Sequence, residues 1–225
     1  MRFEKTEIEE KLNILKSWVN GFDKEDKKIF INQLSELEFT SPNKKDVFNA
    51  FKVLTPKNTK VLIIGQDPYP NKKDKNKATG YAFLMNKKVT ENDSLYYILK
   101  AINKNNPISP KEFTKENYND LKNWVDKNKV LMLNTSLTYQ DNSKNMHCNT
   151  WKPFIEIIFC NLLLKTEQDI SIFLWGKDAQ NNFLKILNVL KEKEDIAFNG
   201  AECCKNNKNK FKLFKTVKRN KSIYV

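Results

Sequence analysis

The sequence predicts an α/β protein, a single three-layer α/β/α domain around a central, mainly parallel, four-stranded sheet. Three observations carry that expectation. Short apolar runs stand at Val61-Leu62-Ile63-Ile64, Val130-Leu131-Met132-Leu133 and Ile170-Ser171-Ile172-Phe173-Leu174-Trp175. Runs of that length, rich in β-branched and aromatic residues, read as strands buried on both faces. The stretches between them carry apolar residues at helical spacing, and strands alternating with helices build parallel sheets. A fourth strand is expected at Ile196-Ala197-Phe198, which ends at Asn199-Gly200.

Residues 4–40 read as helical. Ile8, Leu12, Leu15 and Val19 recur at helical spacing with Trp18, and Phe30, Leu34 and Leu37 form a second apolar face. Ser41-Pro42-Asn43 is a turn, after which Asp46 is placed to cap a short helix carrying Val47, Phe48, Ala50 and Phe51. Thr55-Pro56-Lys57-Asn58 breaks that helix before the first strand. Residues 70–79 form a lysine-rich polar loop, and Gly80-Tyr81-Ala82-Phe83-Leu84-Met85 follows as an apolar run. Ser94 starts a helix through Ile98 and Ile102, which Asn105-Asn106-Pro107 ends, and a further helix covers about 116–127. Residues 140–149 read as a polar loop holding His147, and residues 151–164 as a helix. Asp178-Ala179 opens another helix through Phe183, Ile186 and Leu190. No repeat or linker divides the chain, so residues 1–225 are taken as one domain with an N-terminal helical part, 1–40, and a basic tail, 205–225.

Composition narrows the partners. There are 40 basic against 27 acidic residues, a net charge of +13, which attracts polyanions, nucleic acid first among them. A lysine-rich composition spread through the whole chain would give the same balance. Basic residues interleaved with Phe211, Leu213 and Phe214 in the tail fit a nucleic-acid-facing element, or equally a solvated amphipathic terminal helix. The 4 cysteines lack zinc-ligand spacing and the chain has 1 histidine, so no metal site is expected. Adjacent Cys203-Cys204 is a poor disulfide pair, which suits a reducing cytoplasm. No stretch approaches the length of a membrane span, and Met1-Arg2-Phe3-Glu4 does not open an apolar signal.

The stretch most suggestive of chemistry is Gly65-Gln66-Asp67-Pro68-Tyr69-Pro70. A glycine ends the first strand, and two prolines forbid its continuation as strand or helix. Gln66, Asp67 and Tyr69 are thereby delivered on a stiff turn at a strand's carboxyl end, where ligands bind in open α/β sheets. An Asp-Pro turn is also a common piece of plain structure. Asn134 stands where the second strand ends. Its amide can read a base edge or simply form a turn. A glycine beside Tyr81 and Phe83 suits close approach of a flat ligand, while Phe83 could equally be core.

Taken together, Asp46-Val47-Phe48-Asn49-Ala50-Phe51, Gly65-Gln66-Asp67-Pro68-Tyr69, Gly80-Tyr81-Ala82-Phe83, residues 130–138 and Leu174-Trp175-Gly176-Lys177-Asp178-Ala179-Gln180 resemble uracil-DNA glycosylase of family 1, in that family's order. Ser94-Leu95 resembles part of its DNA-backbone loop and Trp151-Lys152-Pro153-Phe154 another of its stretches. The resemblance covers roughly residues 40–185. It implies a base-flipping enzyme, a monomer without metal or redox cofactor, that breaks the N-glycosidic bond of a deoxynucleotide. Asp67 would orient the attacking water and stabilise the cationic sugar. Gln66 would touch the base through its backbone, Tyr69 would stand against C5, Phe83 would stack on the ring and Asn134 would read its edge. Ser41, Pro42, Ser94, Lys205, Lys208 and Lys210 are assigned to DNA binding.

Two departures bear on the substrate. The first motif ends in Pro70 rather than His. The family's late stretch, with a histidine that donates to the base and a leucine wedge, is replaced by Ala197-Phe198-Asn199-Gly200-Ala201-Glu202. Asn199 can donate an amide hydrogen bond to a leaving base and is the substitute assigned here, though Asn-Gly is also a common turn. Three readings therefore stand. One is a uracil-DNA glycosylase with a rearranged wedge. Another is a glycosylase for hydroxymethylated or glucosylated cytosine of phage DNA, with a role in anti-phage defence. The third is a non-catalytic DNA-binding protein of the same fold.

Overall fold

The computed structural model describes residues 1–71, 77–86, 89–90, 93–102, 122–141, 146–164, 170–175, 177–194 and 211–215. The N-terminal part is two helices rather than one, α1 (Lys5–Ile14) and α2 (Lys24–Glu36). The Glu7 carboxylate accepts the Glu4 N–H at 2.7 Å to start α1. Asp23 caps α2, accepting from the N–H groups of Glu25 and Asp26 at 2.8 and 3.1 Å. Asp46 does not cap a helix. It lies in one of two single 3₁₀ turns, Lys44–Asp46 and Asn49–Phe51, where its carboxylate accepts from the Asn49 amide at 3.0 Å.

Strand β1 (Val61–Gly65) is followed by α3 (Ser94–Ile102), the helical residues 122–126 (α4) and β2 (Val130–Asn134). Then come α5 (Met146–Phe159), which carries Pro153 and runs into a π-helical turn at Cys160–Leu164, β3 (Ile170–Leu174) and α6 (Lys177–Glu194). The fourth strand, β4, is Phe211–Lys215. The tail thus supplies a strand where the sequence suggested a nucleic-acid-facing element or a terminal helix. The expected strand at 196–198 lies outside the described residues, as do Asn199, Lys205, Lys208 and Lys210.

Among the described residues all strand pairs are parallel, in the order β2-β1-β3-β4. Successive residues of a strand point to opposite faces, yet Leu62 to Gly65 and all of β2 are buried. Strands β1 and β2 are therefore covered on both sides, while Ser171 and Phe173 of β3 are half-buried. Helix α6 packs on β1 and β3, while α2 packs on both α1 and α5. Because every strand runs the same way, β1, β2 and β3 deliver their carboxyl ends to one rim, with Gly65 level with Asn134 and Ile64 level with Leu174. The chain leaves β1 toward β2 and leaves β3 toward β4, in opposite directions. The crevice between those exits is where such a fold binds ligands. Among the described residues, no helix is long and apolar enough to cross a membrane.

The helical side of the core is aromatic. Phe30 stacks on Phe154 with centroids 5.5 Å apart, and Trp151 meets both rings edge-on. The Trp151 indole N–H donates to the Thr138 hydroxyl at 2.7 Å, and that hydroxyl lies 2.9 Å from Nδ1 of His147. His147 is therefore not part of a polar loop. It sits buried in the first turn of α5. Burial holds its ring below the ordinary value of 6.5, with a partly opposing hydrogen bond to the Thr138 backbone. The native ring resists a proton that the unfolded ring accepts, so its contribution to stability is intact above pH 6.5 and falls as pH drops below it. Urea unfolding at pH 7 and pH 5 checks this. The wild-type midpoint should fall further on acidification than that of His147→Gln, and equal falls would refute it.

Candidate active site

The rim is built on a missing side chain. A Cβ placed on Gly65 would stand 2.3 Å from Oδ1 of Asn134 and 3.0 Å from the Ala82 methyl. Only glycine lets the Asn134 side chain lie across the end of β1. Pairing between the two chains then continues past the strands. Thr135 N–H donates to the Gly65 carbonyl at 3.1 Å, and Ser136 N–H to the Gln66 carbonyl at 3.0 Å. The Thr135 hydroxyl donates to the Gln66 carbonyl at 3.2 Å and accepts from the Asn182 amide of α6 at 3.1 Å. Gln66 and Asn134 are thus brought together by backbone geometry, with Asn134 buried and Gln66 half-buried.

Asp67 and Tyr69 follow on the proline-locked turn, both half-buried. Cys148, in the first turn of α5, donates its thiol hydrogen to Oδ1 of Asp67 across 3.8 Å. Burial, reinforced by the Asp67 charge, pushes that thiol up to about 12. The thiol therefore stays protonated and holds one carboxylate oxygen.

Tyr69 forms the other wall. Its hydroxyl donates to the Phe83 carbonyl at 3.2 Å, and its own carbonyl accepts from the Ser41 hydroxyl at 2.6 Å. Burial and the nearby Asp93 charge push the phenol well above its ordinary range, so it remains a neutral donor. Phe83 has a left-handed backbone, φ 63°, and its ring meets Trp175 with centroids 5.3 Å apart. Gly80, at φ 83°, makes that loop possible, since a Cβ there would fall 1.8 Å from the Asp46 carbonyl oxygen. Ala82 N–H donates to the Met132 carbonyl at 3.0 Å and fastens the loop to β2.

Ser41 and Pro42, expected to meet DNA, are both buried, and the Ser41 hydroxyl is engaged with the Tyr69 carbonyl. They support the turn from beneath instead of facing solvent. Ser94 is half-buried at the start of α3. Trp175 and Cys148 belong to the site but were not assigned to it from the sequence. Trp175 had a usable signal, because it stands at the carboxyl end of the third apolar run. Cys148 had none.

The rim beside the crevice between β1 and β3 thus carries a carboxylate, an amide and a half-buried aromatic pair. The sequence pattern described as the uracil DNA glycosylase superfamily matches residues 51–221. The chain belongs to that superfamily. It is 36% identical over 140 residues to a uracil-DNA glycosylase of Francisella tularensis, a match covering 62% of this chain and 60% of that protein's length. It is 33% identical over 179 residues to a uracil-DNA glycosylase of Amoebophilus asiaticus, covering 75% of this chain and 76% of the relative. The crystal structure of mimivirus uracil-DNA glycosylase superposes with a TM-score of 0.60 at 22% identity, covering 82% of this chain and 67% of that one. The UNG of Nitratifractor salsuginis superposes with a TM-score of 0.51 at 21% identity, covering 80% and 83%.

Two outcomes follow from this geometry. Gly65→Ala should destabilise the fold by about 1–3 kcal/mol, because the Asn134 side chain must give way to the new Cβ. Urea unfolding checks it, and a midpoint equal to wild type would refute the crossing of Asn134 over Gly65. Burial and the Asp67 charge keep the Cys148 thiol protonated at pH 8. Iodoacetamide labelling read by peptide mass spectrometry should therefore be far slower at Cys148 than in the unfolded chain, and faster in Asp67→Asn than in wild type. Rapid labelling of the native thiol would contradict the Asp67 contact.

Proposed function

We propose that this chain is a DNA glycosylase that accepts a uracil turned out of the helix, hydrolyses its N-glycosidic bond and leaves an abasic site. The observation that carries this reading is the placement of Asp67 on a rigid turn, on the same rim as the Phe83–Trp175 rings and the Asn134 amide. A stacked base cannot be reached in the duplex, so it must be extruded and stacked again. As the base leaves, negative charge grows on its ring and positive charge on the sugar. Asp67 opposes the second charge and orients the attacking water, while donors around the base meet the first. Phe83 stacks on the flipped ring, Asn134 reads its edge and the backbone of Gln66 lines the pocket. Tyr69 stands against C5 and turns away a methyl group. Asn199 donates to the leaving base, and Ser94 with Lys205, Lys208 and Lys210 holds the phosphates of the DNA. The net charge of +13 favours that partner.

The replaced late motif favours a second reading, a glycosylase for hydroxymethylated or glucosylated cytosine with a role in anti-phage defence. It would require the Tyr69 ring to move aside, against the hydrogen bonds at its hydroxyl and carbonyl. A non-catalytic DNA-binding role would leave the carboxylate of Asp67 on the rim without a task.

Oligonucleotides containing uracil, thymine, hydroxymethylcytosine or glucosylated hydroxymethylcytosine, treated with the protein and then with alkali, separate these readings. Cleavage of the uracil strand is expected. Cleavage of a modified-cytosine strand alone would replace this reading with the second, and tight salt-sensitive binding without cleavage would replace it with the third. Asp67→Asn should reduce uracil release by about 10²- to 10³-fold or more while sparing DNA binding.

A further inference from the structure

A buried ion pair lies behind the Tyr69 wall and outside the chemistry described above. Lys77 Nζ is 2.6 Å from Oδ1 of Asp93, with the side chains only 15% and 6% exposed. The same ammonium stands 5.0 Å from the centroid of the Tyr69 ring. The second Asp93 oxygen accepts from the Thr90 N–H at 2.8 Å and from the Thr90 hydroxyl at 2.9 Å, and the Asp93 carbonyl accepts from Tyr96 N–H in α3 at 3.1 Å. Lys77 is itself fixed, since its carbonyl accepts from Asn86 N–H at 3.1 Å and the next residue, Ala78, bridges to Met85.

Two charges this far from water persist because each neutralises the other, and removal of either leaves the survivor desolvated and unpaired. Such a pair has one geometry, and here that geometry presents a cation to an aromatic face. Tyr69 is then held at its carbonyl by Ser41, at its hydroxyl by the Phe83 carbonyl and the Leu95 backbone, and at its ring face by Lys77. The ammonium is the one of these that bears on the ring itself.

We propose that Lys77 and Asp93 form a specificity-determining clamp that fixes the Tyr69 ring and thereby sets how large a substituent at C5 of the target pyrimidine the pocket tolerates. This rests on the proposed glycosylase reading. Neither residue touches the substrate, and both act through Tyr69. With the pair intact, the ring cannot yield to a 5-methyl group. With the pair removed, the ring can shift and thymine can enter.

The test measures release of uracil and thymine from matched oligonucleotides by the wild-type chain, Lys77→Met, Asp93→Asn, Lys77→Arg and the double variant Lys77→Met/Asp93→Asn. Lys77→Met keeps the alkyl stem over the ring, and the double variant leaves no unpaired buried charge, so it decides the matter if a single variant does not fold. The expected result is a rise of about 10-fold or more in thymine release relative to uracil in the charge-removing variants, with discrimination restored in Lys77→Arg. A uracil-to-thymine ratio within about twofold of wild type in the folded double variant, or thymine release still undetected there, overturns the clamp. Absence of uracil release by the wild-type chain would instead refute the glycosylase reading, so the two failures are distinguishable.

Discussion

The arrangement of the rim depends on the absence of a side chain at Gly65. Asn134 is the register partner of Gly65 in the parallel pair, and its amide occupies the space a Cβ would need. That single crossing fastens the end of β2 over the end of β1 and sets where Gln66 begins. The hydrogen bonds from Thr135 and Ser136 then carry the register two residues beyond the strands. The prolines at 68 and 70 continue the constraint covalently. The turn carrying Asp67 is consequently constrained at its start by the sheet and along its length by the prolines, even though it belongs to no strand.

The aromatic half of the molecule serves this rim at a distance. Phe30 on α2 stacks against Phe154 on α5, and Trp151 ties α5 to Thr138, four residues beyond the end of β2. The first turn of α5 therefore arrives in register with the sheet, and Cys148 arrives at Asp67 with it. The N-terminal helices make no direct contribution to the crevice. The packing of α2 against α5 keeps a thiol within reach of a carboxylate.

Strands β1, β2 and β3 were legible because each appears as a short, mainly apolar run, and the parallel order followed from the helices between them. β4 was not, because Phe-Lys-Leu-Phe-Lys inside a lysine-rich tail shows no such run and is equally compatible with an amphipathic helix. The short helix expected after Asp46 proved to be 3₁₀ turns, in which the Asp46 carboxylate serves Asn49. Gln66, Asp67, Tyr69, Phe83 and Asn134 could be singled out because each belongs to a local motif at or beside a strand end. Their contacts could not be read. Cys148 lies 81 residues from Asp67, and no periodicity or spacing encodes a meeting of that range. The burial of Ser41 and Pro42 could not be read for a related reason. A turn ordinarily lies on the surface, whereas this one is roofed by the chain at Tyr69 and Tyr139.

The left-handed backbone at Phe83 has a bearing on how this pocket can change over time. Asparagine, aspartate and glycine adopt that conformation most readily, and none of them carries a broad apolar ring. Residue 83 is therefore caught between two incompatible demands. A substitution that relaxes the main chain discards the flat surface facing Trp175, and one that keeps an aromatic ring keeps the strain. Change at this rim is thereby steered to neighbouring positions, where a residue can be exchanged without giving up either backbone shape or ring. The conformation of one peptide unit restricts the evolutionary routes open to the whole pocket.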